Sequence, residues 1–322
     1  MGKEMQTIRR QDALEFEFAA KAPVLTVEQG ESFVIETEDA GIGEVRSEDA
    51  AAGLAHSPRR LSTPALGNPM GGPVFIEGAE PGDLLEVTIE RIEVDSQGFT
   101  NWGPGRTPIG NDHRWPTLNE YTVRILEHRP GPSGTTRDGR AFLYGEPLWD
   151  LQPMIGCIGV APEREVTTSS TGQTIAGGNL DMRDVKEGAK VYLNVYHPGA
   201  LLYIGDVHAS QADTEYYGTA DETRSEVQVS CHVIKKKRIP FIQLVFPDRI
   251  IAVRAGKSLD LMVHQAVEDM ITWLVTDYGV DPGVAYMHTC VNPDFRINIY
   301  QYTLGLAAIG AELPTKYLPG RA

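Results

Sequence analysis

Cysteine is scarce in this chain: Cys157, Cys231 and Cys290 stand far apart among 322 residues. An odd count without CxxC spacing argues against a disulfide framework or a zinc knuckle. The thiols then read as small buried hydrophobes. Positive charge is also in deficit, with 29 Lys and Arg against 44 Asp and Glu and a formal charge of −15. Such a field repels phosphate backbones and anionic lipid, so neither nucleic acid nor a membrane surface is an expected partner. No apolar run approaches the roughly 20 residues of a spanning helix. The opening MGKEMQT lacks the apolar core of a secretory signal, and Gln6 stands where a myristoylation signal wants Ser or Thr. A cytoplasmic protein is the expectation.

Familiar catalytic signatures are missing as well. There is no GxSxG elbow, no Walker loop, no HExxH, and no GxGxxG opening a helix after a strand. Those absences leave metal-activated water as the expected nucleophile, ahead of an activated side chain.

What is present reads mostly as strand. In PVLTVEQGESFVIETED (23–39) two β-rich runs flank Gln29-Gly30, with Phe33 and Ile35 on the opposite face from Val34 and Glu36. PVFIEGAEPGDLLEVTIERIEV (73–94) repeats the plan around a Pro81-Gly82 turn, and Leu85, Val87 and Ile89 alternate with Glu86, Thr88 and Glu90. A looser echo spans 180–206. Residues 98–118 and 129–140, rich in Gly, Pro and polar groups, read as long loops that could close over a site, with His113 and Trp115 as pocket candidates. KKKR at 235–238 reads as a solvated hairpin end.

Helix comes late. Ser258 is a natural N-cap for a helix from about Leu259 to Tyr278, with Val263, Ala266, Val267, Met270, Ile271, Leu274 and Val275 on its apolar face and Gly279 as its stop. Asp281-Pro282 opens a shorter helix, and 295–304 alternates like a strand. The fold class is therefore α+β, predominantly antiparallel β (sandwich- or barrel-like), with a C-terminal α/β segment. Residues 1–165 form a β-rich N-terminal half. Residues 166–322 carry a β-rich segment and the C-terminal helices, the two packed closely as one unit.

Acids and histidine crowd together once, in GALLYIGDVHASQADTEYYGTADE (199–222). Asp206 and His208 are two residues apart and point the same way for as long as a strand continues. Asp213, Glu215 and Glu222 follow. Carboxylates do not share a pocket without protonation or a cation, and imidazole plus carboxylate suits zinc and related divalent ions. The same spacing also suits an exposed acidic loop. In GGNLDMRD (177–184) two glycines before Asn179 and Asp181 suggest backbone brought close to a ligand, with Asp181 as a third metal ligand. An ordinary Asx turn would leave the same trace.

Five phrases then appear in order: GGPVFIEGAEPGDLLEVTIERIEV, QPMIGCIGVAP (152–162), GGNLDMRD, GALLYIGDVHASQADTE and AYMHTCVNPDFRINIYQ (285–301). Together they resemble the acetamidase/formamidase family over most of the chain, from about Val24 to Leu318. The resemblance implies an amidase of short aliphatic amides, a largely β fold, and a metal near the GDxH block. It marks Glu77, Asn179, Asp181, Asp206, His208 and Glu215 as pocket residues. Three departures stand out. The family's GDGE reads Ala212-Asp213-Thr214-Glu215, Met287-His288-Thr289 replaces a serine-rich stretch, and the loop holding His113 and Trp115 departs from the family's pattern.

The sequence reading is thus a metal-assisted amidohydrolase of linear amides, cyclic ones included, working as a homo-oligomer. Asp181, Asp206 and His208 hold a divalent metal, zinc by ligand type. Glu215, with Glu77, does the acid–base work, and Gly178, Asn179, His113 and Trp115 bind substrate. Two rival readings are a cupin-like metal enzyme, although Asp206-x-His208 fits HxH poorly, and a non-catalytic β-sandwich binding module.

Overall fold

The computed structural model describes residues 5–50, 53, 62, 66–107, 109, 114–303 and 305–320. Eighteen strands join in one sheet that curls on itself, and a separate two-stranded ribbon pairs Glu17–Phe18 with Thr167–Thr168. Its spine is the strand Leu84–Trp102, which pairs antiparallel with Glu222–Ile234 along almost its whole length. The alternation read from the sequence holds, since Leu85, Val87, Ile89, Phe33 and Ile35 are all fully buried. Two register shifts in this long pairing bend the ribbon and let it wrap.

Strand pairing ignores any division near residue 165. Met154–Val160 lies between Gly177–Asn179 and Ala200–His208, and Ser32–Thr37 pairs with Glu222–Ile234. Pairing among the described strands is antiparallel with two exceptions: Gln6–Ile8 beside Ser32–Thr37, and Leu25–Val27 beside Met70–Ile76. The 98–118 segment is not all loop. Residues up to Trp102 finish the long strand and pair with Thr122–Arg129, because Phe99, Asn101 and Val123 find buried places there.

The long helix runs Leu259–Tyr278. The Ser258 side chain accepts from Leu261 N, and Gly279 stands at φ 66° to end it. Its buried face is Met262, Ala266, Asp269, Met270, Trp273 and Leu274, rotated from the face expected, with Val263, Ile271 and Val275 at the margins. The rotation has two causes: Trp273 packs edge-on against Phe241, with ring centroids 5.9 Å apart, and Asp269 turns inward to pair with Arg254. Burial of each large side chain contributes about 1.5–3 kcal/mol. A second helix, Pro282–Val291, is capped by Asp281 Oδ1, which accepts from Gly283 and Val284 N. No helix among the described residues is long and apolar enough to cross a membrane.

Cys157 and Cys231 are buried as read, but Cys290 lies exposed on the short helix. The KKKR turn is tied down: Lys235 to Asp83, Lys237 to Asp277, and Arg238 over the Tyr196 ring.

Candidate active site

The sheet brings its acidic residues to one cleft of about 280 Å³, lined by Asp181, Asp206, His208, Glu215, Glu222 and Gln301 among others. Asp206 and His208 sit at the end of Ala200–His208, Asp181 just beyond Gly177–Asn179, and Glu215 in the turn after His208. One ligand atom from each of Asp181, Asp206 and His208 lies within 4.8 Å of the other two, and all three residues are buried. His208 Nε2 is 3.6 Å from Asp206 Oδ1 and 3.4 Å from Glu222 Oε2.

This convergence is not produced by plain strand alternation. Asp206 stands at φ 55°, which breaks the pleat between it and His208. Ten non-glycine residues among those described have positive φ, and five of them are here: Asn68, Asp181, Asp206, Thr214 and Glu215. Left-handed backbone costs an L-residue about 1–2 kcal/mol. It persists where the surroundings over-determine it, and such positions cluster at functional sites.

Hydrogen bonds fix the orientation of each group. Gln211 Nε2 donates to the carbonyls of Asp181 (2.6 Å) and Tyr300 (3.0 Å), so its Oε1 must be the atom facing His208 Nδ1 at 2.9 Å. His208 Nδ1 therefore carries a proton, and Nε2 is the nitrogen turned toward Asp206 and Glu222. Gln173 Nε2 donates to Gln301 Oε1 at 2.6 Å, which turns Gln301 Nε2 onto Asp181 Oδ2 and onto Glu215 Oε2 at 3.2 Å. A bulge between Ile299 and Gln301 swings this side chain into the cleft. Asn68 Nδ2 donates to Asp206 Oδ2 at 2.7 Å. Asp181 Oδ1 and Asp206 Oδ1 are among the buried oxygens of the cleft with no hydrogen-bond partner.

Electrostatics follow from four carboxylates held away from water. Burial, helped by Glu215 and Asp206, pushes the Asp181 carboxyl well above its usual range, and burial raises Asp206 too. Glu215 is pushed up to about 7, chiefly by burial. Burial alone would lower the His208 imidazole, yet the Glu222 and Asp206 carboxylates outweigh it and hold its pKa well above the usual value. A cation bound among these groups reverses that balance, drawing the carboxyls back to their charged form and displacing the proton on Nε2. The orphaned oxygens and the directed imidazole thus fit a divalent metal. Cys157 lies beside them, with Sγ 3.6 Å from Asp206 Oδ2, but burial pushes its thiol far up and removes it as a nucleophile.

The other sequence candidates fare differently. Asn179 lines the cleft, but its Nδ2 is committed to the Ser170 carbonyl and its Oδ1 accepts from Cys157 Sγ. Gly178 (φ 142°) serves protein rather than ligand, because a Cβ there would meet the Gly172 carbonyl oxygen at 2.1 Å. Glu77 is on an exposed turn outside the cleft lining. Trp115 is 46% exposed beneath Arg114 and does not line the cleft either. His113 lies outside the described residues. Asp213 pairs with Arg183 at 3.2 Å and faces a neighbouring cavity.

Sequence reasoning missed Gln211, Gln301, Asn68 and Gly156 and held Glu222, with Asp213, only as an alternative base. Gly156 is needed as glycine: a Cβ would sit 2.6 Å from Asp181 Oδ1 and 2.8 Å from Asp206 Oδ2. Its one visible signal was the glycine pair in MIGCIGV.

Comparison with known proteins gives the family. The profile of the Acetamidase/Formamidase family matches residues 19–174 and 152–293. The chain belongs to this family. A putative formamidase of Schizosaccharomyces pombe is 26% identical over 256 residues, covering 65% of this chain and 61% of that protein. The chain thus spans about three-fifths of that curated relative. Crystal structures of acetamidases agree over nearly the full length. That from Bacillus halodurans has a TM-score of 0.83 at 27% identity, covering 97% of this chain and 98% of the other. That from Yersinia enterocolitica gives 0.82 at 27% identity, covering 98% and 94%. Thr214, beside Glu215, stands at φ 78°, a conformation suited to glycine and strained for a β-branched residue.

Proposed function

We propose that this member of the family hydrolyses the C–N bond of a small amide, assisted by a divalent metal held by Asp181, Asp206 and His208. The observation that carries the reading is the pair of orphaned buried oxygens, Asp181 Oδ1 and Asp206 Oδ1, beside an imidazole whose Nδ1 is committed to Gln211. Two carboxylates and one imidazole suit zinc. A metal bound there supplies Lewis-acid polarisation of the carbonyl and makes water more acidic.

The chain's own groups do the rest. Glu215, oriented by Gln301 and turned into the cleft by two successive left-handed residues, takes the proton from the attacking water. It passes that proton to the departing nitrogen, which leaves as ammonia or an amine far more readily than as an amide anion. With a cation in place Glu215 is drawn to its charged form, the form a base needs. Gln211 keeps His208 in the tautomer that presents Nε2. Short linear amides are the first substrate class, in keeping with the names acetamidase and formamidase borne by relatives. Cyclic amides are the second.

The test is ammonia or amine release with metal-loaded and chelator-treated protein. Loaded protein should turn over amide and His208→Ala should lose most of its metal. Glu215→Gln should keep its metal while losing about 10²–10⁴ in rate, roughly 3–5 kcal/mol of barrier. Full activity in metal-free protein would sink the mechanism. Loss of metal from Glu215→Gln would make Glu215 a ligand and leave Glu222 as the base.

A further inference from the structure

The second aspartate of GGNLDMRD has no part in the chemistry above. Asp184 is buried three residues beyond Asp181 and does not line the cleft. Its Oδ2 accepts from the Tyr300 hydroxyl at 2.8 Å, and its Oδ1 from Arg249 Nη2 at 3.1 Å. A buried carboxylate needs a charged partner, and Arg249 supplies it, with Lys186 Nζ 3.5 Å away. Asn298 Nδ2 approaches the same tyrosine hydroxyl at 3.4 Å. Tyr300 itself is fully buried, and Gly310 on the neighbouring strand Leu306–Pro314 leaves room for it. A Cβ at Gly310 would stand 2.6 Å from the tyrosine ring and 2.8 Å from its hydroxyl oxygen.

Tyr300 is also the residue that the bulge leaves over. Ile299 faces Ile309 and Gln301 faces Ala308, so Tyr300 has no opposite number in the pairing. Its carbonyl accepts from Gln211 Nε2 at 3.0 Å, and the next side chain, Gln301, reaches Asp181 and Glu215. Plain alternation would return Gln301 to the face of Ile299, which packs against the cluster under the long helix. The bulge keeps Gln301 with Tyr300, whose ring belongs to the main core. Both amides that orient the site therefore depend on one backbone position.

We propose that Asp184 and Tyr300 are positioning residues of this site: their contact fixes the bulge at residue 300 and so aims Gln211 and Gln301. The proposal rests on the metal reading of the cleft. A one-residue slip reverses the faces of the side chains that follow, so the place of the bulge has to be specified. The tyrosine hydroxyl, held by a buried charged group, specifies it, because only residue 300 can reach Asp184 from the space beside Gly310. From there one route runs through Gln211 to His208 Nδ1, and the other through Gln301 to Asp181 and Glu215. Neither Asp184 nor Tyr300 touches the reacting atoms.

The experiment measures zinc affinity by chelator competition, well below the melting range, beside thermal melts of the metal-free protein. Tyr300→Phe keeps the ring and removes the hydroxyl. It should weaken zinc binding about 10-fold, the lower end for a group acting through a ligand's partner. Its metal-free melting temperature should fall by only about 2 °C, the scale of one lost buried hydrogen bond. In a Gln211→Leu background, where one route is already cut, the same change should cost only about 3-fold. Asp184→Asn keeps an oxygen for the hydroxyl and should bind zinc more tightly than Asp184→Ala. A merely structural role would lower the melting temperature and leave zinc affinity alone, which would overturn the proposal, as would equal losses in both backgrounds. If wild type binds no divalent metal, the metal reading fails and the metal-free melts decide this inference separately. Melting losses of Tyr300→Phe and Gln301→Leu that combine to less than their sum would uphold it, and strictly additive losses would overturn it.

Discussion

Replacing Gln211 by leucine tests the argument on which the metal site depends. Gln211 makes three hydrogen bonds: it accepts from His208 Nδ1 at 2.9 Å and donates to the Asp181 and Tyr300 carbonyls at 2.6 and 3.0 Å. Leucine fills similar space and makes none of them. Each lost bond costs on the order of 1 kcal/mol, so the metal-free protein should lose about 3 kcal/mol. That corresponds to a melting temperature lower by roughly 6 °C in a chain of this size. The larger effect is on the ligand. Without an acceptor at Nδ1 the imidazole is free to flip or to place its proton on Nε2, and such losses typically cost about 10–100-fold in metal affinity. Affinity would be read by competition against a chelator of known strength, with stability taken separately from thermal melts of the metal-free protein. Gln211→Glu is the control. It keeps an acceptor for Nδ1 but sets a carboxylate against two carbonyls, so it should melt early while still binding metal better than Gln211→Leu. Unchanged metal affinity in Gln211→Leu would show that the tautomer is not fixed in this way.

Three further outcomes are expected. Gly156→Ala should lose most of its metal, because the new methyl would stand 2.6–2.8 Å from the Asp181 and Asp206 oxygens; overpacking of this kind costs about 1–3 kcal/mol, and metal content per chain is the measurement. Thr214→Gly should raise the melting temperature by about 1–2 °C, since relief of positive φ slightly outweighs the added backbone entropy of glycine. The buried pair of His128 and Asp221, 3.1 Å apart, should give stability a pH dependence. Burial alone would lower His128, but Asp221 outweighs it and raises the imidazole above its ordinary 6.5. Its contribution is therefore fully present below about pH 6.5 and is lost as pH rises through the folded-state value. Melts of wild type from pH 6 to 9 should fall relative to those of His128→Gln, and parallel curves would refute the assignment.

The helices were legible because their signals are local. Ser258, Gly279, Asp281 and Pro282 mark ends through contacts with residues two to five positions away, and the structure places each at its expected cap. The strand faces of Phe33, Ile35, Leu85 and Val87 were legible for a related reason, since alternation registers one-sided burial in the chain itself. Gln301 and Gly156 were not legible. Gln301 enters the site through a bulge 86 residues from its partner Glu215, and Gly156 matters for the atoms that occupy the space its side chain would fill. Glu77 lies outside the cleft for the converse reason: it belongs to a phrase typical of the family, but it stands in the exposed turn between that phrase's two strands.

The most instructive case is the pair Asp206 and His208. Strand alternation predicted that they meet, and they do, but the premise fails between them because Asp206 is left-handed. A regular strand would align the two side chains on one face without directing their oxygen and nitrogen to a common point. Turning Asp206 out of the pleat, with Asp181 and Glu215 also left-handed, aims three carboxylates inward from separate segments. Local sequence rules are expected to fail at such places, because the backbone there serves the site and not the ladder. The stabilisation that holds it comes from elsewhere, from the amides of Asn68, Gln211 and Gln301 and from the buried strands Met154–Val160 and Ala200–His208. The position most open to improvement is then the one where sequence and backbone disagree most, Thr214, whose β-branched side chain keeps strain that a glycine would release.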